Sequence, residues 1–139
     1  MRPIEFLEIG IQGLPGPPGP PGQPGAAASV RTAGATLSAL VGVWEDADGT
    51  VWALDAADAL HINLFVGVTT TAANAGGEIH VQNSGPLNAP GLSLTPGPVW
   101  LGADGTLTQT VPASGYSLYL GAAVSPSRLV LSPAVPFQL

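Results

Sequence analysis

Few residues in this chain are of a type and spacing that could do chemistry. Asp46-Ala47-Asp48-Gly49 opens like a calcium loop. Such a loop needs glycine at its sixth position and a bidentate glutamate at its twelfth. Counted from Asp46, those positions hold Val51 and Ala57, so the stretch suits a hairpin turn instead. His61 and His80 are the only histidines and share no spacing with other ligands; each is expected as a half-buried strand residue. Asp55 and Asp58 flank alanines and are expected to cap a turn. With no cysteine there is no disulfide, thiolate metal site or thiol nucleophile. With no lysine there is no phosphate-loop lysine or amine nucleophile, and a Gly-X-Ser-X-Gly elbow is absent too. The carboxylates lie beside glycine in turns, away from the apolar setting that would split the pKa values of a catalytic pair. The expectation is a protein that is not an enzyme and uses no cofactor or metal.

Binding chemistry has more to work with. Trp44, Trp52 and Trp100 could form a platform on which a sugar ring stacks, although at least two of them are expected in the core. Loops around 74–77 and 85–91 read as exposed. Trp52, Asn74 and Asn88 are therefore the candidate contact residues of a binding surface.

The elements that must position these residues are strands. Candidates are 40–44, 50–54, 62–69, 78–83, 99–101, 107–110, 118–124 and 128–132, each rich in Val, Leu, Thr or aromatics and bounded by turn residues. Glu78-Ile79-His80-Val81-Gln82 alternates with period two, as a half-buried strand does. The stretch 30–40 fits either a short helix or an extended strand. Many short strands at regular spacing predict an all-β sandwich or small barrel.

The chain also repeats itself. Val43-Trp44-Glu45-Asp46-Ala47-Asp48-Gly49-Thr50 aligns with Val99-Trp100-Leu101-Gly102-Ala103-Asp104-Gly105-Thr106, six of the eight positions being identical. Leu64-Phe65-Val66-Gly67-Val68 then corresponds to Leu118-Tyr119-Leu120-Gly121-Ala122, and Ile79–Val81 to Leu129–Leu131. Two related four-strand units packed face to face are the expected head.

Ahead of it, Gly10, Gly13, Gly16, Gly19, Gly22 and Gly25 fall on every third position, with proline in most places between. This is the Gly-X-Y period of a collagen triple helix, strict because only glycine fits at the crowded axis of three wound strands. A flexible linker has no reason to keep the period. The repeat implies a homotrimer with a shaft over 10–27, on the order of 50 Å long at about 3 Å per residue. Residues 1–9 form a head peptide in which Ile4, Phe6, Leu7 and Ile9 could dock three chains on a larger partner. Residues 28–139 form the β head.

Composition agrees. Only 9% of the 139 residues are charged, against about a quarter in ordinary domains. A chain so poor in charge is expected to hide surface between subunits. Its net charge of −6 and three arginines argue against nucleic acid as a partner and against anionic lipid. No apolar run is long enough to cross a membrane, and no secretion signal is read at residues 1–13.

The region 37–139 resembles small phage and prophage virion proteins. The residues that carry this are Leu37-Ser38-Ala39, Val66-Gly67-Val68-Thr69, Ala72-Ala73, Val81-Gln82-Asn83-Ser84-Gly85 and Thr95-Pro96-Gly97-Pro98-Val99-Trp100-Leu101-Gly102. Gly105-Thr106-Leu107-Thr108-Gln109, Gly121-Ala122-Ala123 and the closing Ser127-Arg128-Leu129-Val130 continue the pattern. The resemblance implies a trimeric β head of the kind found in tailed-phage fibre and decoration proteins. It also implies assembly in the host cytoplasm into the virion, with other virion proteins of tail, baseplate or capsid as partners. A short tail fibre or tip that touches a host surface glycan or protein is the expected role; a capsid decoration protein or head fibre is the alternative.

Overall fold

The computed structural model describes residues 28–139. The repeat glycines Gly10 to Gly25 and the docking candidates Ile4, Phe6, Leu7 and Ile9 lie outside the described residues. The described chain is all-β, with a closed five-stranded barrel, a five-stranded open sheet and a two-stranded ribbon.

The barrel comprises β1 (Ala28–Ala33), β2 (Gly42–Glu45), β3 (Thr50–Ala53), β4 (Phe65–Thr69) and β5 (Glu78–Gln82), in the order β1-β3-β2-β4-β5. β1 closes it, running antiparallel to β5 over five residue pairs and parallel to β3 through Thr32↔Thr50 and Ala33↔Val51. A ring of five strands leaves a narrow interior. Small and β-branched side chains fill it: Ala33, Val43, Val51, Ile79 and Val81, with Leu37 at one end.

The open sheet comprises β6 (Gly85–Asn88), β7 (Gly97–Leu101), β8 (Leu107–Thr108), β10 (Tyr119–Ser125) and β11 (Arg128–Leu131), in the order β6-β11-β10-β7-β8. β9 (Tyr116–Ser117) and β12 (Phe137–Gln138) form the ribbon. One face of this sheet packs on the outside of the barrel. There Leu54, Ile62 and Val68 from the barrel half meet Leu87, Val99, Leu101, Leu120, Leu129 and Leu131. Fully burying a side chain such as Ile62 stabilises by roughly 1.5–3 kcal/mol, so this leucine-rich seam binds the two halves together.

The repeat seen in the sequence is a repeat of registers. In the barrel, Val43 pairs with Gly67 and, after a bulge, Trp44 pairs with Phe65. In the open sheet, Val99 pairs with Gly121 and, after the same bulge, Trp100 pairs with Tyr119. Trp44↔Trp52 and Glu45↔Val51 likewise become Trp100↔Thr108 and Leu101↔Leu107. Both bulge glycines hold the same backbone conformation, φ 150° at Gly67 and 153° at Gly121. Each unit has five strands rather than the expected four, because β1 and β6 escape the sequence pattern. The match further along also shifts: Thr69↔Val81 and Ala123↔Leu129 make Val81, and not Ile79, the counterpart of Leu129.

Other expectations change too. Ile62–Leu64 is a 3₁₀ turn leading into β4, not part of a strand. Residues 85–88 form edge strand β6 with Leu87 buried, although 85–91 reads as loop. Pro86 is tolerated there because an edge strand has one side on which no N–H is needed. Buried Thr69 is satisfied, its Oγ1 accepting from Val41 N at 3.0 Å and donating to Ser38 O at 2.7 Å. Among the described residues no helix is long and apolar enough to cross a membrane.

Candidate functional site

The most developed surface feature is an aromatic stack on the barrel. Trp44 and Trp52 are direct cross-strand partners on β2 and β3, with Val43 and Val51 turned into the barrel beside them. Strand alternation therefore points both indoles outward. Their ring centroids lie 6.5 Å apart with planes inclined by 25°. His61 leaves the loop before the 3₁₀ turn and lies flat on Trp44, centroids 3.7 Å apart and planes 6° apart. All three rings are half-buried.

Each end of the stack is held by a carboxylate. Asp46 closes the β2–β3 turn, its Oδ1 accepting from Asp48 N at 2.9 Å and Thr50 N at 3.0 Å. Its other oxygen accepts from Trp52 Nε1 at 3.0 Å. These donors, the indole N–H foremost, hold the Asp46 carboxyl below its ordinary pKa. Asp58 caps the next turn by accepting from Leu60 N and His61 N, and its Oδ2 lies 2.7 Å from His61 Nδ1. The hydrogen bond with His61 is the main cause of its lowered pKa. Trp52 also rests on Gly34, where a Cβ would come within 2.5 Å of the indole. Arg31 Nε meets Glu45 Oε1 at 3.1 Å close by, with both side chains partly exposed; such a pair is worth about 0–1 kcal/mol. The rings are thus fixed by partners at their edges, a pre-organised apolar surface fringed by hydrogen-bond acceptors.

The other sequence-derived positions do not join this stack. Trp100 belongs to the open sheet, edge-on to Tyr119 at 6.5 Å. None of the three tryptophans is fully buried, contrary to the expectation that two would serve the core. Asn74 is exposed in the β4–β5 connection, where its carbonyl accepts from Gly77 N. Asn88 is exposed at the end of β6, opposite Arg128. His80 lies on a strand but is exposed rather than half-buried, His61 is half-buried but in a turn rather than a strand, and Asp55 and Asp58 do cap turns.

His61 is the functional candidate that the sequence reading passed over. Its one available signal is Asp58-X-X-His61, a spacing that lets a turn-capping aspartate also reach the ring. Asp46-Ala47-Asp48-Gly49 is a hairpin whose first carboxylate serves the turn and Trp52. Among the described residues no group of three or more His, Cys, Asp or Glu could hold a metal ion.

A groove of about 490 Å³ opens at the second unit's counterpart of Trp52. It runs past Thr106, Thr108 and Thr110 between Asp55 and Val111. Compared with protein-family models and with curated proteins, the chain matches none.

Proposed function

We propose that this chain is a non-enzymatic structural protein of a tailed-phage virion, a homotrimeric short tail fibre or tip. Its Gly-X-Y stretch winds three copies into a shaft, residues 1–9 dock it on other virion proteins, and the β head meets the host surface. The observation that carries this reading is the unbroken glycine period from Gly10 to Gly25, ending just ahead of the first barrel strand. Only a three-chain winding demands that period. The aromatic stack supports an attachment role. Rigid rings with acceptors at their rim suit the face of a sugar ring, whose C–H groups meet the electron-rich indole face while its hydroxyls donate to the rim.

Two measurements test the reading. Light scattering on the full chain should give three times 13.8 kDa; a monodisperse monomer refutes the trimer. Gold-labelled antibody on intact virions should decorate the tail end, and purified full chain should compete with host adsorption. Label spread over the capsid without competition would instead identify a decoration protein or head fibre.

A further inference from the structure

The outward face of the open sheet carries a row of direct cross-strand neighbours, Pro86, Val130, Ala122 and Pro98. Both prolines are exposed, and Val130 retains 36% of its surface and nearby Val124 53%. Arg128 is the single charged residue in the four strands β6, β11, β10 and β7. A monomer seldom leaves so continuous an apolar sheet face in water. The opposite face is already used, because it packs on the barrel.

The place where the chain enters the head names the occupant. The Gly-X-Y stretch ends at Ala27, and Ala28 pairs with Gln82, about 5 Å away as strand neighbours are. Gln82 Nε2 in turn donates to Ser84 O at 2.9 Å and to Pro86 O at 2.7 Å. The entry point therefore sits beside the Pro86 end of the row. Three heads leaving one shaft have their entry points close together, which brings the three Pro86 ends together as well.

We infer that this face is the subunit contact of the trimer, with Pro86 and Val130 nearest the threefold axis and two further copies of this chain as the partner. The inference rests on the trimer reading but goes beyond it, since a shaft alone could hold three heads that never touch. Six triplets are too few for a robust triple helix, so contact between heads is the element that would nucleate it.

The test compares the full chain with Val130→Lys and Val130→Thr in dilution series followed by native mass. Val130→Lys should weaken the trimer by at least about tenfold, because it places three like charges around one axis. Val130→Thr, which keeps the side-chain shape, should weaken it less. Val111→Lys, at an exposed valine in the loop before β9, should leave it unchanged. Near-ultraviolet circular dichroism of Val130→Lys should still report a folded head. A wild-type trimer that persists undiminished in Val130→Lys overturns the contact face and leaves the trimer standing. A monomeric wild type overturns both.

Discussion

The barrel unit and the open-sheet unit share four strands, three ladders and one bulge, yet they end differently. In the first, β1 is six residues long and reaches round to β3. In the second, β6 has four residues and begins Gly-Pro, and β8 has two, so nothing closes the ring. Their surfaces diverge in step. Asp46 and Trp52 of the first unit, joined by a hydrogen bond, are replaced in the second by Gly102 and Thr108. An Asp at Gly102 would crowd Thr106, whose Oγ1 lies 2.7 Å from where a Cβ would stand. The second unit shows that the shared ladder forms without a second indole at the Trp52 position or the carboxylate that holds it. The stack is therefore an addition to the fold and not a requirement of it, and that makes it the better candidate for function.

The largest effect should come from the feature the units share. Gly67→Val and Gly121→Val each drive a side chain into the neighbouring strand, where a Cβ would lie 2.5 Å from Gln82 O or 2.1 Å from Val130 O. Each should cost roughly 4–5 kcal/mol, leaving little folded protein in a denaturant titration. Damage in only one unit would break the equivalence of the two bulges. Next comes the seam: Ile62→Ala, fully buried between the halves, should lose about 3 kcal/mol in a single transition. Two separate transitions would show that the halves fold independently.

Trp52→Thr imports the second unit's own residue and should cost only about 1 kcal/mol. It should nevertheless abolish any binding seen on a glycan array, and retained binding would remove the stack from the attachment role.

The smallest effect concerns pH. Asp46 and Asp58 have lowered pKa values, so their stabilisation is present above the ordinary value of 3.8 and is lost as pH falls through the lower folded value. The Trp52 indole N–H resonance should shift over that acid range while that of Trp100 stays still. Equal movement of both would argue that the carboxylate does not hold Trp52.

How much of this was legible depended on how strongly local pattern spoke. β2, β3 and β7 announce themselves through Val, Leu and Trp beside Asp-Gly turns, and β10 and β11 through Val and Leu on either side of a Ser-Pro-Ser turn. β1 begins with alanine and serine and β6 with Gly-Pro, so neither has the composition of a strand. Pairing with β5 and β11 imposes the strand on each. Trp52 was nameable as a contact residue because a tryptophan face can stack on a sugar ring. The third ring was not. His61 joins from a turn where a strand was expected, and its position depends on Asp58 holding two backbone amides and the ring at once.

The closure of the barrel also decides how the molecule would carry a mechanical load. Tension entering at Ala28 runs along β1, whose five-residue ladder to β5 and two-residue ladder to β3 both lie side-on to the pull. Their hydrogen bonds are then stretched together in shear rather than unzipped one by one, so the barrel yields late and abruptly. A ligand gripped at Trp52 would be only one ladder away, through β3 to β1. In the proposed attachment role, force between a bound surface and Ala28 would cross the barrel wall by its shortest route, through β3 and β1.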